Sequence, residues 1–238
     1  MSIGIVVEAS LGSKRLPGMM LTTLAGRTLL EHSVVRLRAS GLPIVVAATT
    51  DACDDALERA VSDLGASLYR GESEDVLARV IAAASAFGLT EIVRASACHP
   101  AVDIAGVQRI SELRRRVHAD HAMECGLPQG AAVEAVTLEA LRRSQALVVD
   151  PYDLEHVTSF IRRDTRFTAM RAVAPGHLRR PGLRLVVQTP GDFEFMDGVL
   201  SATTTLAPDA PLEEIIAVAE AAVVRMERAR LSATRKGA

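Results

Sequence analysis

A mostly parallel α/β sheet with crossover helices is the fold class this sequence predicts. Short continuous apolar runs suit strands buried on both faces, stretches of helical period separate them, and the two alternate regularly up to about residue 118. In order, Ile3 to Val7 is the first such strand. The loop Leu11-Gly12-Ser13-Lys14-Arg15-Leu16-Pro17-Gly18 follows, then a helix from about Thr28 to Ala39. Ile44 to Thr49 is a second buried strand, and Asp51 is placed to cap the next helix, whose Leu57, Ala60, Val61 and Leu64 share a face. Ser67 to Tyr69 reads as a third strand. Ser73 then stands as an N-cap, with Glu74 and Asp75 in the first turn of a helix that runs to Phe87 and stops at Gly88. Ile92 to Ala95 is the next strand, and Asp103 caps a helix carrying Val107, Ile110, Leu113 and Val117.

Past residue 118 the pattern loosens. Residues 120–136 are mixed and interrupted by Gly126, Pro128 and Gly130, which reads as an excursion from the main sheet. Helices are expected over Leu138–Ala146 and Glu155–Arg162, one more core strand over Leu183–Val187, and a short helix from about Asp192. A last long helix, about Leu212 to Arg230, carries Ile216, Ala219, Val223 and Met226 on one face, and the tail Arg235-Lys236-Gly237-Ala238 is expected to be mobile. All 238 residues are read as a single domain, with 120–165 as a smaller segment.

Composition narrows the function. With 27 basic and 29 acidic side chains the net charge is -2, and aromatic residues are only 3%. A general nucleic-acid binder would carry a basic excess and stacking platforms, so no nucleic-acid partner is expected. Cys53, Cys98 and Cys125 are scattered and odd in number, which argues against a disulfide framework and for a reducing compartment. No apolar run reaches the ~18 residues of a membrane span, and Met1 leads straight into a strand without a leader pattern. A cytoplasmic protein without a membrane partner is the expectation.

In open α/β sheets, ligands bind outside the carboxyl ends of the strands near the switch point of strand order. The first strand ends in Glu8-Ala9-Ser10 and enters a turn containing Gly12, Ser13, Lys14 and Arg15. Small residues that free backbone N–H groups, with two adjacent cations, are the makings of a phosphate cradle. The turn matches neither G-x-x-x-x-G-K-[ST] nor G-x-G-x-x-G, and by residue type alone an unliganded surface loop has equal standing.

The wider arrangement is more specific. Gly12-Ser13-Lys14-Arg15-Leu16-Pro17-Gly18 resembles the G-S-x-R-L-P-G signature of the cytidylyltransferases that make CMP-activated sugar acids, most closely the spore coat polysaccharide biosynthesis branch. The resemblance continues through Leu24-Ala25-Gly26-Arg27, Leu30-Glu31-His32, Tyr69 to Arg79, Ile92-Val93-Arg94, Pro100 with Asp103, Gly130 with Val133-Glu134, Glu155-His156-Val157-Thr158 and Thr189-Pro190-Gly191-Asp192. These blocks cover roughly residues 3 to 200, in family order. The resemblance implies a Rossmann-like, nucleotide-diphospho-sugar transferase fold: a twisted, mostly parallel sheet with a small inserted dimerisation segment, working as a homodimer. It implies CTP and a sugar acid or similar small anionic acceptor as substrates. A substrate oxygen attacks the α-phosphate and pyrophosphate leaves, with Mg²⁺ neutralising charge. Carried onto this chain, Gly12, Ser13, Lys14 and Arg15 cradle phosphates, Arg70 and Arg94 support them, and Asp75 and Glu134 bind ribose or substrate hydroxyls. His156 lies towards the sugar-acid side.

The departures fall on the chemistry. Family members carry arginine where this chain has Ser10 and lysine where it has Met19. Two aspartates that bind Mg²⁺ are replaced by Cys98 and Gln188, and an acid two before Glu134 is Ala132. Mg²⁺ favours hard anionic oxygens, which a thiol does not supply, and the Gln188 carbonyl brings no charge. Glu8, where the family usually has glutamine, could return one carboxylate, leaving Glu8 with Gln188 as a reduced metal site. The alternative is that Glu8 pairs with Lys14 or Arg15. Two readings therefore stand: a cytidylyltransferase, or a diverged homologue that binds without Mg²⁺-dependent transfer or runs metal-free chemistry in the same cleft. Cys98-His99 with His156 or Cys125 matches no zinc spacing, and an inert thiol outweighs a nucleophilic Cys98. Arg114-Arg115-Arg116 reads as a solvated helix end, and the basic pairs Arg142-Arg143, Arg162-Arg163 and Arg179-Arg180 could attract an anionic partner, although the near-neutral balance argues against specific nucleic-acid binding.

Overall fold

The structure is a computed structural model and describes residues 2–12, 16–203 and 206–236, with side chains as far as residue 228. In chain order its elements begin with β1 (Ile3–Glu8), β2 (Thr23–Leu24), β3 (Arg27–Thr28), α1 (Leu29–Arg38), β4 (Ile44–Thr49), α2 (Asp55–Asp63) and β5 (Ser67–Gly71). They continue with α3 (Val76–Ala86), β6 (Glu91–Ser96), α4 (Ile104–Arg116), β7 (His121–Cys125), β8 (Glu134–Thr137) and α5 (Leu138–Gln145). The chain ends with α6 (Pro151–Glu155), α7 (Ser159–Arg163), β9 (Ala169–Val173), α8 (Pro190–Ala202) and α9 (Leu212–Lys236). One seven-stranded sheet has the order β5-β4-β1-β6-β8-β7-β9, and β2 with β3 makes a separate small ribbon. β5, β4, β1 and β6 pair in parallel. β8 runs antiparallel to both β6 and β7, and β9 returns parallel to β7.

The apolar strands bury both faces, as their continuous runs require. Ile5, Val7, Val46, Ala48, Val93 and Ala95 face a core completed by α1, α4, α8 and α9. Val6, Val45, Ala47 and Ile92 face the opposite core, made with α3, α5 and α7. Burying each large aliphatic side chain there contributes about 1.5–3 kcal/mol. From β1 the chain builds outward on one flank through β4 and β5, then crosses to the other flank with β6. The switch point therefore lies between β1 and β6, where Glu8 is paired with Ser96 at the carboxyl ends of the two strands.

Several expectations are corrected. Residues 120–136 do not leave the main sheet, because β7 and β8 are two of its strands. The helix expected over Glu155–Arg162 is split into α6 and α7 around His156, Val157 and Thr158. Leu183–Val187 is buried at Leu185, Val186 and Val187 but forms only an isolated bridge, Gln129 with Arg184. Its backbone bonds go instead to two loops, at Gln129 and Cys98. The N-cap of α3 is Asp75 rather than Ser73, and Asp51 makes no side-chain cap. α9 continues to Lys236, so Arg235 and Lys236 are helical, while Gly237 and Ala238 lie outside the described residues. The three cysteines are free. Among the described residues, no helix is long and apolar enough to cross a membrane.

Candidate functional site

The turn after β1 is held from below by a carboxylate. Asp54 is fully buried between the end of β4 and the start of α2. Its Oδ1 accepts the Leu11 N–H at 2.6 Å, and its Oδ2 accepts the Thr49 N–H at 2.9 Å and the Thr49 hydroxyl at 2.6 Å. Charge-assisted bonds of this kind are stronger than neutral ones and fix where the turn departs. Ser10 Oγ accepts the Gly12 N–H at 3.1 Å, and Gly18 N–H donates to Leu11 O at 3.0 Å, closing the turn on itself. Gly12 thus sits at the mouth of the turn. Ser13, Lys14 and Arg15 lie outside the described residues. Met19 is buried in the core, so the position of the family's lysine carries no charge.

Beside the turn, β6 and β8 carry an ion network. Arg94 lies opposite Val6 on one side and Glu134 on the other. Its guanidinium donates through Nε and Nη2 to both oxygens of Glu8, the latter at 3.0 Å, and through Nη1 to Glu134 Oε2 at 3.2 Å. Glu134 also accepts the Thr158 hydroxyl at 2.5 Å and Arg162 Nη1 at 3.3 Å, and buried His121 Nε2 stands 3.7 Å away, within ion-pair range but too far for a hydrogen bond. Burial works to raise the Glu134 carboxyl, but His121, Arg94 and Thr158 together hold it well below the usual carboxylate range. Burial, with Arg94 adding to it, pushes His99 down to about 4, so its imidazole is neutral at pH 7. Glu8 thus pairs with Arg94, while its alternative partners Lys14 and Arg15 lie outside the described residues.

The two positions that carry metal aspartates in the resembling family lie on segments that meet: the Val187 N–H, one residue before Gln188, donates to Cys98 O at 2.9 Å. Their donor set does not fit Mg²⁺. The Cys98 thiol lies 3.0 Å from Ser96 Oγ, and burial raises its pKa, keeping it protonated. Both oxygens of Glu8 are engaged by Arg94. Asp192, the acid nearest Gln188 in sequence, is bound by Arg184 at 3.0 and 2.9 Å and completes the capping box of α8 with Thr189. Among the described residues, no group of three or more His, Cys, Asp or Glu could hold a metal ion.

The remaining candidates are scattered. Arg70 spends its donors on Thr49 O (2.9 Å), Asp51 O (2.8 Å), Asp55 (2.6 Å) and Glu58 (3.4 Å), bracing the segment that contains Asp54. The Asp75 carboxylate caps α3 by accepting the Ala78 N–H at 2.8 Å. His156 packs edge-on against Tyr152, with ring centroids 4.1 Å apart. Glu8, Arg94 and Glu134 are thus the sequence-predicted residues that share one cluster. Asp54, His121, Thr158, Arg162 and neutral His99 join the site without having been predicted for it. Thr158 had a signal in the Glu155-His156-Val157-Thr158 block. Asp54 had only its place shortly after a strand end.

The geometry can be set beside known proteins. The family model described as Cytidylyltransferase matches residues 4–229. The spore coat polysaccharide biosynthesis protein SpsF of Bacillus subtilis (strain 168) is 29% identical over 221 residues, 89% of this chain and 91% of that protein. A 3-deoxy-manno-octulosonate cytidylyltransferase of Anaeromyxobacter sp. (strain K) is 30% identical over 150 residues, 62% of this chain and 57% of that one. The solved structure of a cytidylyltransferase from Leptospira borgpetersenii serovar Hardjo-bovis (strain JB197) superposes with a TM-score of 0.85 at 25% identity, covering 92% of this chain and 94% of that one.

Proposed function

The chain belongs to the cytidylyltransferase family, and from that membership we propose that it binds a cytidine nucleotide at the β1/β6 crevice and transfers CMP from CTP to a sugar acid or similar small anionic acceptor. The observation that carries the reading is the turn after β1, anchored by buried Asp54 at the switch point where doubly wound sheets take their ligands. In this reading the backbone of Gly12 and Ser13, with Lys14 and Arg15, receives the phosphates. The acceptor oxygen bonds to the α-phosphorus as the bond to pyrophosphate breaks, and the protein supplies positioning and electrostatics. Arg162 and neutral His99, beside Arg94, offer a polar wall to the acceptor. Arg70 acts as a brace for the turn, and Asp75 as a cap. A homodimer through the 120–165 segment and a cytoplasmic setting complete the reading, supported by the family resemblance and the free cysteines; light scattering on the purified chain tests the dimer.

A pyrophosphate-release assay with CTP and a panel of sugar acids, 3-deoxy-manno-octulosonate among them, tests the transfer. Release that needs both CTP and one acceptor is the expected result, and absence of release with every acceptor despite nucleotide binding overturns it. The second reading, nucleotide binding without transfer, is favoured by one observation: Cys98 and Gln188 stand where the resembling family has its metal aspartates. Binding without release is its signature.

A further inference from the structure

The charge arrangement under the turn has a meaning of its own. Among the described residues, the carboxylates of Glu8 and Glu134 in this network are matched by the guanidiniums of Arg94 and Arg162, with His121 3.7 Å from Glu134. Every carboxylate oxygen in it accepts from a guanidinium of the same network. A divalent cation entering there would have to break the bidentate Arg94–Glu8 pair and leave a guanidinium beside itself, which is doubly unfavourable in a partly buried setting. On its other side Cys98, one residue past the Ala97 N–H that donates to Glu8 O at 2.9 Å, offers a thiol, and Gln188 an uncharged amide. Neither provides the anionic oxygen that Mg²⁺ requires.

We propose that the cleft grips the phosphates of its nucleotide without a divalent cation, the Arg94–Glu8 pair and Cys98 closing the place where a metal would sit. The inference rests on the nucleotide-binding reading above and adds a property the family resemblance does not imply. Glu8 is then a positioning residue: it holds the Arg94 guanidinium at the carboxyl end of β1.

Isothermal titration with two probes, CTP and inorganic tripolyphosphate, each in EDTA and in excess Mg²⁺, tests this. The affinity for CTP is expected to agree within about threefold between the two conditions, whereas a gain of about tenfold or more with Mg²⁺ overturns the proposal. Failure of both probes to bind in EDTA overturns it as well. Tripolyphosphate binding in EDTA while CTP does not bind supports the metal-free grip and instead defeats the cytidine-nucleotide reading. The triple variant Glu8→Gln/Cys98→Asp/Gln188→Asp, which removes the Arg94–Glu8 ion pair and supplies two carboxylates, is expected to acquire an Mg²⁺-dependent gain of about tenfold that the parent lacks. A variant with the parent's circular dichroism and no such gain contradicts the role given to those positions, and if the variant does not fold, the parent titrations decide alone.

Discussion

Asp54 shows how a single buried carboxylate can set a functional turn. Replacing it with alanine strands the Leu11 and Thr49 N–H groups without their acceptor, and a loss on the order of 3 kcal/mol in urea unfolding is expected. Asp54→Asn keeps one acceptor and should lose less, and both variants should weaken CTP binding through the turn. In sequence Asp54 is one acid among Asp51, Asp54 and Asp55; only the buried end of β4 distinguishes it, and burial is a tertiary fact. His99 gives a prediction in pH. Its folded-state pKa is pushed down from 6.5 to about 4, so the unfolded chain takes up the proton first and stability falls as pH drops through that window, by up to about 3 kcal/mol. His99→Gln should flatten the slope of urea-derived stability between about pH 6.5 and 5. Glu134, a depressed carboxylate, keeps its contribution above its ordinary value near 4.5 and loses it only below, so the two windows separate. A parent and variant with the same slope would contradict the burial assigned to His99.

At the scale of elements, legibility follows how apolar an element is. β1 and β4 are largely continuous hydrophobic runs, β6 keeps Ile92, Val93 and Ala95 around Arg94, and all three were readable to within a residue or two. β7 was not, because His121 and Glu124 are buried polar residues in its five positions, and Glu124 is tolerated only through Arg109 at 2.8 and 2.7 Å. A strand whose buried charge is paired from a neighbouring helix looks like a loop in sequence. The split between α6 and α7 has a local cause. Val157 sits at φ 49, an unusual conformation for a β-branched residue, with the Thr158 N–H on His156 O at 2.5 Å, while Thr158 is drawn to Glu134 and Ser159 to Asp153. The 183–187 segment was correctly read as core, but it threads between loops instead of joining the ladder, passing so close to Gly130 that an added Cβ would meet Leu185 O at 2.7 Å. Gly130 also has φ +90. Gly130→Ala is therefore expected to destabilise by about 1–3 kcal/mol, and a thermal midpoint unchanged from the parent would contradict that packing.

For the molecule as a whole, the alternation of strands and helices gave the parallel half of the sheet and the switch point, and the ordered motif blocks gave the family. Neither could give the ion network, which joins Glu8, Arg94, Glu134 and Arg162 from four elements. The substitutions at Cys98 and Gln188 were plain in the sequence, yet their consequence depended on finding Glu8 already committed to Arg94. The account as a whole stands on the first turn receiving phosphate. Titration calorimetry of CTP into the parent chain and into Arg15→Ala tests it most directly: one site per chain is predicted for the parent, weakened by about tenfold or more in the variant. Absence of heat with the parent, or equal affinity in the two proteins, would contradict it.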